Sequence, residues 1–227
     1  MLSVVVAAWG PVGNPYSAFV SRWWAAIERM RPNPAEVVVV HTEPEPLGLL
    51  AAAPAGIAVR SVPIQPGPPV DFWNAGVEAA SQPWVSTIGV DDCYRSDALA
   101  LLAKADAAGA EIMVWHHQER GGHVWHTFWN PEVLKRANTV QGASPFRREL
   151  WQRVGGYPPV GWCDWGLWLR CAKAGATVAH TQRIGVDFDI GDERETFSGR
   201  SLKEADRIAR DAEIDALVDD LFGVAAT

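Results

Sequence analysis

Two unbroken apolar runs, Leu2–Ala8 (LSVVVAA) and residues 36–40 (EVVVV), limit the folds open to this chain. A strand with one wet face alternates polar and apolar residues, whereas a continuous run belongs to a strand covered on both faces, as in parallel sheets. Between the two runs, Tyr16, Val20, Trp23, Trp24 and Ile27 recur at helical spacing. This predicts a helix over residues 15–30 that stops at Arg31-Pro32-Asn33-Pro34. Residues 47–53 are helix-prone, residues 57–64 read as a third strand and residues 84–89 (WVSTIG) as a fourth. Residues 65–70 are an extended loop, Asp71 caps a helix over residues 72–80, and a further helix spans residues 97–108 before Gly109. Strands alternating with helices in this way imply an α/β fold with a mainly parallel central sheet flanked by helices.

The fourth strand runs straight into Asp91 and Asp92. Open α/β sheets hold their ligands at the carboxyl ends of the strands, so the paired acids stand where a site is built. Side chains alternate along a strand, and both carboxylates reach one ion only if the chain has left the strand by Val90. A turn built on Asp is the competing reading. Magnesium and manganese are commonly held by one or two carboxylates plus the phosphates of a substrate, an arrangement that two acids at a sheet edge suit. Gly10-Pro11-Val12-Gly13 matches neither a Walker loop nor G-x-G-x-x-G, so the chain offers no glycine cradle for a phosphate.

Composition narrows the class. At 227 residues, 48% hydrophobic and 21% charged, the chain can bury a full core as one large domain. A net charge of −7 argues against a surface built to grip nucleic acid non-specifically. Cys93, Cys163 and Cys171 lack paired spacing for zinc or a disulfide framework, which fits a reducing cytosol. Residues 1–8 are apolar but too short for a membrane span and lack a basic flank, so a cytoplasmic protein with no membrane span is expected. Twelve tryptophans suit both core packing and stacking on rings.

The second half has another texture. Residues 111–117 and 122–128 read as strands of a hairpin broken at Glu119-Arg120-Gly121-Gly122. Residues 131–137 form a helical turn, residues 146–154 and 164–174 are helices, and residues 177–179 form a last short strand. Residues 183–200 are polar and turn-rich, open to a loop or lid. Residues 201–222 make a charged amphipathic helix opened by the capping box Ser201/Glu204. Its apolar positions Leu202, Ala205, Ile208, Ala212, Leu217 and Leu221 can pack on this domain or on a partner subunit, the second option giving a homodimer.

Asp164 follows a Pro/Gly-rich turn and opens a helix, the place of an N-cap. A carboxylate kept ionised there can also accept a proton from an attacking hydroxyl, and the two roles are compatible. His116, His117, His123 and His126 lie on or beside the hairpin without metal spacing, as structural or acceptor-site residues. His41 ends the second strand beside Thr42 and Glu43, a position for hydrogen bonds to a base or ribose. Trp125, Trp129, Trp162 and Trp165 suit either a stacking platform or the core.

The order Arg147-Arg148-Glu149-Leu150, Gly155-Gly156-Tyr157, Cys163-Asp164-Trp165, Leu167-Trp168-Leu169-Arg170 and Gly175, together with Asn74-Ala75-Gly76 ahead of the acid strand, resembles the family 2 glycosyltransferases. The similarity can be followed from Leu2 to about Ala179. It implies a GT-A fold in a single domain over residues 1–227. Residues 1–95 would be a nucleotide-sugar-binding half and residues 96–182 an acceptor half with a smaller β-hairpin region. Residues 183–227 would be a loop and C-terminal helix. It also implies roles. Ala7, Ala8, Trp9, His41, Thr42, Glu43 and Asp71 lie around the base and ribose, with Asn74 and Val90 also on the donor side. Asp91 is the principal ligand of Mn2+ or Mg2+, Asp92 stands beside it, and Asp164 is the base. The chain departs from the family where Gly89 and Val90 replace the start of the acidic run, Cys163 replaces a Glu and Trp73 replaces an Arg. His180, Asp187 and Asp189 are the candidates for a further metal ligand. The expected activity is an inverting, metal-dependent transfer from a UDP- or GDP-sugar to a hydroxyl on a glycan, lipid-linked sugar, protein or modified nucleobase. The alternative is a GT-A-like domain that binds a nucleotide-sugar or glycan without efficient transfer.

Overall fold

A computed structural model describes residues 1–10, 15–119, 121–188 and 204–223. β1 (Leu2–Ala8) and β2 (Glu36–His41) are buried along their whole length and pair in parallel, Ser3 opposite Glu36 through Ala8 opposite His41. Two-sided burial accounts for their unbroken apolar runs. Val4, Val6, Val37 and Val39 enter one hydrophobic core, while Val5, Ala7, Val38 and Val40 enter the other. Between the strands, a 3-10 turn (Pro15–Phe19) leads into α1 (Val20–Arg29), which buries Trp23, Trp24 and Ile27 in the first core.

β3 (Val59–Pro63) adds in parallel to the outer edge of β2. α2 (Pro69–Ala79) covers the second face and returns to β4 (Trp84–Ile88), parallel to β1 on its inner side. Gly76 lets α2 sit this close, because a Cβ there would run into Val5 and approach Val40 to 2.9 Å. The glycine of the Asn-x-Gly motif is therefore a packing requirement. β5 (Cys93–Tyr94) and α3 (Ala98–Ala107) follow, and α3 buries Leu99, Leu101 and Leu102 in the first core.

The second half continues the same sheet. β6 (Ile112–Glu119) pairs with β7 (Val124–Trp125) as a hairpin, and α4 (Pro131–Leu134) leads on towards β8 (Phe146–Arg147). β8 lies antiparallel between β4 and β6, so one sheet runs through both predicted halves. α5 (Arg148–Val154) and α6 (Cys163–Lys173) cover the second face, β9 (Val178–Phe188) runs beside β6, and α7 (Glu204–Phe222) packs on α6. The nine strands follow the order β3-β2-β1-β4-β8-β6-β9-β5, with β7 on β6. The expected α/β class, its mainly parallel first half, hairpin and C-terminal helix are all present.

Several elements differ from the sequence expectation. Residues 47–53 form turns and no helix, because the Glu45 carboxylate accepts the amides of Leu47 (2.7 Å) and Leu50 (3.2 Å). α2 begins at Pro69, where proline suits a first helical position, so Asp71 lies in the first turn and is not the cap. Phe146 and Arg147 are strand, since tertiary pairing with β4 and β6 outweighs local helix propensity. β9 is eleven residues long, because pairing with β6 and β5 gives its polar stretch backbone partners. On α7 the buried positions are Ile214 and Val218, with Leu217, Leu221 and Phe222 partly buried. Ala205, Ile208 and Ala212 are exposed. Asp189, residues 190–203 with Leu202 and the Ser201 cap, and residues 11–14 lie outside the described residues.

Candidate active site

Because β1, β2 and β4 are parallel, their carboxyl ends open on one edge of the sheet. β4 ends at Ile88, and a turn closed by the Asp92 amide on the Gly89 carbonyl (3.3 Å) brings both acids off the strand. Arg22 of α1 donates to the Asp91 carbonyl and holds the turn. A Cβ on Gly89 would collide with Asp91 Oδ1 and stand 3.8 Å from Asp92 Oδ2, so the two carboxylates gather over the one residue that has no side chain. Of the pair, Asp92 lines the cavity described below, while Asp91 sits at its side.

Asp164 arrives from the other half. Gly155 and Gly156 turn the chain with φ of +78° and +74°. Arg170 donates to the carbonyls of both glycines at 2.8 and 3.0 Å. Asn74 of α2 clamps the next residue, accepting the Tyr157 amide (2.9 Å) and donating to its carbonyl (3.0 Å). The Tyr157 hydroxyl is bonded to Thr87 of β4 at 2.9 Å. So fixed, the chain enters α6 with Trp162 as N-cap and Asp164 in the first turn.

The Asp164 carboxyl occupies a concave wall, half-exposed at the surface yet enclosed by protein behind. Burial pushes its pKa above the usual carboxylate value, opposed by hydrogen bonds from the Trp165 amide, the Asn138 side chain and its own amide. The neighbouring Cys163 thiol is pushed up to about 12 by burial, and Tyr157 is raised well above its ordinary value for the same reason, so both stay protonated at neutral pH.

A cavity of about 490 Å³ joins the two halves. Asp92, Gly89 and Thr87 form one side of it, Asp164, Trp162 and Trp165 another, and Trp9 and Trp73 a third. Trp9 meets Phe72 at 5.5 Å and Trp73 edge-on at 6.0 Å between ring centroids. Arg207 and Asp211 of α7 also line it. Asp211 accepts from the Trp162 indole (3.0 Å) and the Arg210 guanidinium lies 5.1 Å over the same ring.

The other residues expected on the donor side are placed as follows. Ala7, Ala8 and Val90 have buried side chains in the cores. His41 is buried and bonded to Ser61 Oγ (2.8 Å) and the Thr42 carbonyl (2.9 Å). Thr42 is half-buried, Glu43 and Asp71 are exposed, and none of His41, Thr42, Glu43, Asp71 or Asn74 lines the cavity. Asn74 is drawn instead into the Tyr157 clamp. His180 is bonded to the Thr127 carbonyl (2.9 Å), and Asp187 is paired with Arg95 (2.5 Å). Among the described residues, no three His, Cys, Asp or Glu side chains converge as a metal site. Trp125 stacks on His117 (6.1 Å, 16°), while Trp129 packs against the second core. Trp23, Trp84, Trp115 and Trp168 are fully buried, so packing is the main use of tryptophan here. Asn138, Gln141, Phe188, Arg207 and Asp211 line the cavity without any sequence signal.

Sheet order, the acid turn after β4 and the carboxylate at the head of α6 define a GT-A, glycosyltransferase-like fold. Solved structures share it at low identity. A TarS fragment from S. aureus bound to UDP-GlcNAc superposes with a TM-score of 0.77 at 15% identity, covering 100% of this chain and 67% of that one. The mannosyltransferase PcManGT from Pyrobaculum calidifontis, in complex with GDP-Man and Mn2+, gives a TM-score of 0.63 at 18% identity over 85% of this chain and 57% of that one. No family model matches the sequence, and no curated relative is found by sequence similarity. Among the described residues no helix is long and apolar enough to cross a membrane.

Proposed function

We propose that the protein transfers a sugar from a UDP- or GDP-sugar to a hydroxyl acceptor, with inversion at the anomeric carbon. The reading rests on one observation: Asp92 and Asp164, from opposite halves of the chain, border a single cavity large enough for a sugar. The nucleotide-sugars bound by TarS and PcManGT support the choice of donor.

The residues present fit a divalent cation. Asp91 and Asp92 turn towards the same open Cα at Gly89, and two carboxylates plus the phosphate oxygens of a donor make up a common ligand set for such an ion. Bound Mg2+ or Mn2+ would offset the charge of the departing nucleoside diphosphate. Trp9 and Trp73 form the wall on the donor side. The acceptor oxygen attacks the anomeric carbon, the bond from that carbon to the phosphate oxygen breaks, and Asp164 takes the hydroxyl proton. A carboxylate of raised pKa is a stronger base at neutral pH than an exposed one. A thermal-shift panel of nucleotide-sugars with and without manganese tests donor binding, and stabilisation by none of them would refute the reading.

A second reading, binding without efficient transfer, is motivated by Gly89 and Val90, which stand where the family's acidic run would begin. Slow hydrolysis of a stabilising donor, dependent on Asp164, favours the enzyme; its absence favours the binding domain.

A further inference from the structure

The segment from Asn138 to Ala143 forms part of the cavity wall and carries two side-chain amides, both oriented by their own loop. Asn138 Oδ1 accepts the Val140 amide N–H at 3.2 Å, and Gln141 Oε1 accepts the Ala143 N–H at 2.7 Å. An amide whose oxygen is committed to a backbone donor cannot flip, so its NH2 must face the other way. For Asn138 that NH2 meets Asp164 Oδ2 at 3.2 Å.

The loop is held from outside as well. The Thr139 carbonyl accepts the Phe128 amide (3.0 Å), and Ser86 of β4 donates to the Ala143 carbonyl (2.7 Å). Gly142 adds a steric stop, since a Cβ there would stand 3.4 Å from Asp164 Oδ2. The carboxylate is thus met by a fixed donor and a close backbone, both set on the end of the acid strand.

We propose that Asn138 is a positioning residue for Asp164, holding one carboxylate oxygen by a hydrogen bond so that the group stays ionised and aimed into the cavity. This rests on reading Asp164 as the base. Other titratable or charged groups around the carboxyl are Cys163 on its own helix, Tyr157 before it, Asp92 across the cavity, and Arg207 and Asp211 on α7. Cys163 and Tyr157 stay neutral across the working pH range, as described above. Among the described residues, burial and three hydrogen bonds govern the carboxyl, and of these bonds the one from Asn138 comes from a side chain.

The test is the titration of the Asp164 carboxyl by carbon-13 NMR, assigned with Asp164→Asn, in the wild type, Asn138→Ser and Asn138→Ala. Serine can still accept the Val140 amide but does not reach Asp164, so the loop turn is kept while the bond is lost. The Asp164 midpoint is expected to rise by about one pH unit in both variants. The acid limb of the pH profile for donor hydrolysis should move with it, with the KM for donor within about twofold. Should Asn138→Ser lower the melting temperature while the midpoint stays put, Asn138 is only a structural loop residue and the inference is overturned. Asn138→Ala answers the same question if the serine variant does not fold. Because the titration needs no turnover, an enzyme silent with every donor would sink the transferase reading and leave this inference separately decided.

Discussion

The side-chain amide of Asn74 closes two hydrogen bonds with the backbone of Tyr157, 83 positions further along the chain, and so ties α2 to the turn that delivers Asp164. Each such bond contributes about 1 kcal/mol net, and stranding a buried partner costs about 1–3 kcal/mol more. Asn74→Ala is therefore expected to destabilise the fold by about 2–4 kcal/mol. Chemical denaturation measures this, and turnover should fall more than donor affinity because the base is displaced while the acid turn is not.

Asp164→Asn separates chemistry from stability. Transfer or donor hydrolysis should fall by about a thousandfold or more while donor binding by calorimetry persists. The sign of the stability effect follows from burial, which raises the folded-state pKa of this carboxyl. A raised carboxylate costs stability in full above its folded-state pKa, and the cost fades as pH falls from there to the unfolded value of about 3.9. The variant should melt higher than the wild type at neutral pH, with the gain shrinking towards pH 4 or so. A lower melting point at pH 7 would show that the helix-terminal bonds outweigh burial.

At the acid turn, Asp92→Ala is expected to abolish manganese-dependent donor binding, and Asp91→Ala to weaken it about tenfold. Gly89→Asp, which recreates the family-like acid, should weaken binding too, because its Cβ would displace the Asp91 carboxylate. Calorimetry with and without manganese checks all three. Tighter binding by Gly89→Asp would mean that the turn rearranges freely.

Ile214 anchors α7 with 1% of its surface exposed. Ile214→Ala should cost about 2–5 kcal/mol and loosen the helix that brings Arg207 and Asp211 to the cavity. Hydrogen exchange should quicken along α7 first. Acceptor use should suffer while donor protection is retained, whereas equal loss of both would show that α7 supports the whole fold.

Glu36 titrates in the opposite sense to Asp164. Burial works to raise its pKa, but hydrogen bonds from Ser3 and Ser81 and the charge of Arg60 outweigh it, and the net shift is downward. Its contribution is present above the unfolded carboxylate value and is lost as pH falls through the folded one. Glu36→Gln should lower stability at pH 7 and converge with the wild type in acid, as urea titrations at the two pH values would show.

Much of the fold was legible because its signals are local. The Val runs of β1 and β2 require two covered faces, and the pattern Trp84–Ile88 then acids marks a strand that ends in an acidic turn at the sheet edge. Elements decided by long-range pairing were not legible. Phe146 and Arg147 have helical neighbours yet complete a ladder between β4 and β6. The polar residues of β9 read as loop until β6 and β5 supply their backbone partners.

The candidate site divides along the same line. Sequence alone determined the α/β class, the alternation of β1, α1, β2, β3, α2, β4 and α3, and the candidacy of Asp91, Asp92 and Asp164, since these follow from side-chain periodicity and residue type. Only the tertiary structure decided that Asp92 faces the cavity, that Asn74 clamps Tyr157 instead of lining it, and that Asn138 and α7 complete the wall around Asp164. A side chain's partners depend on which distant segments fold against it, and periodicity along a chain carries no record of that.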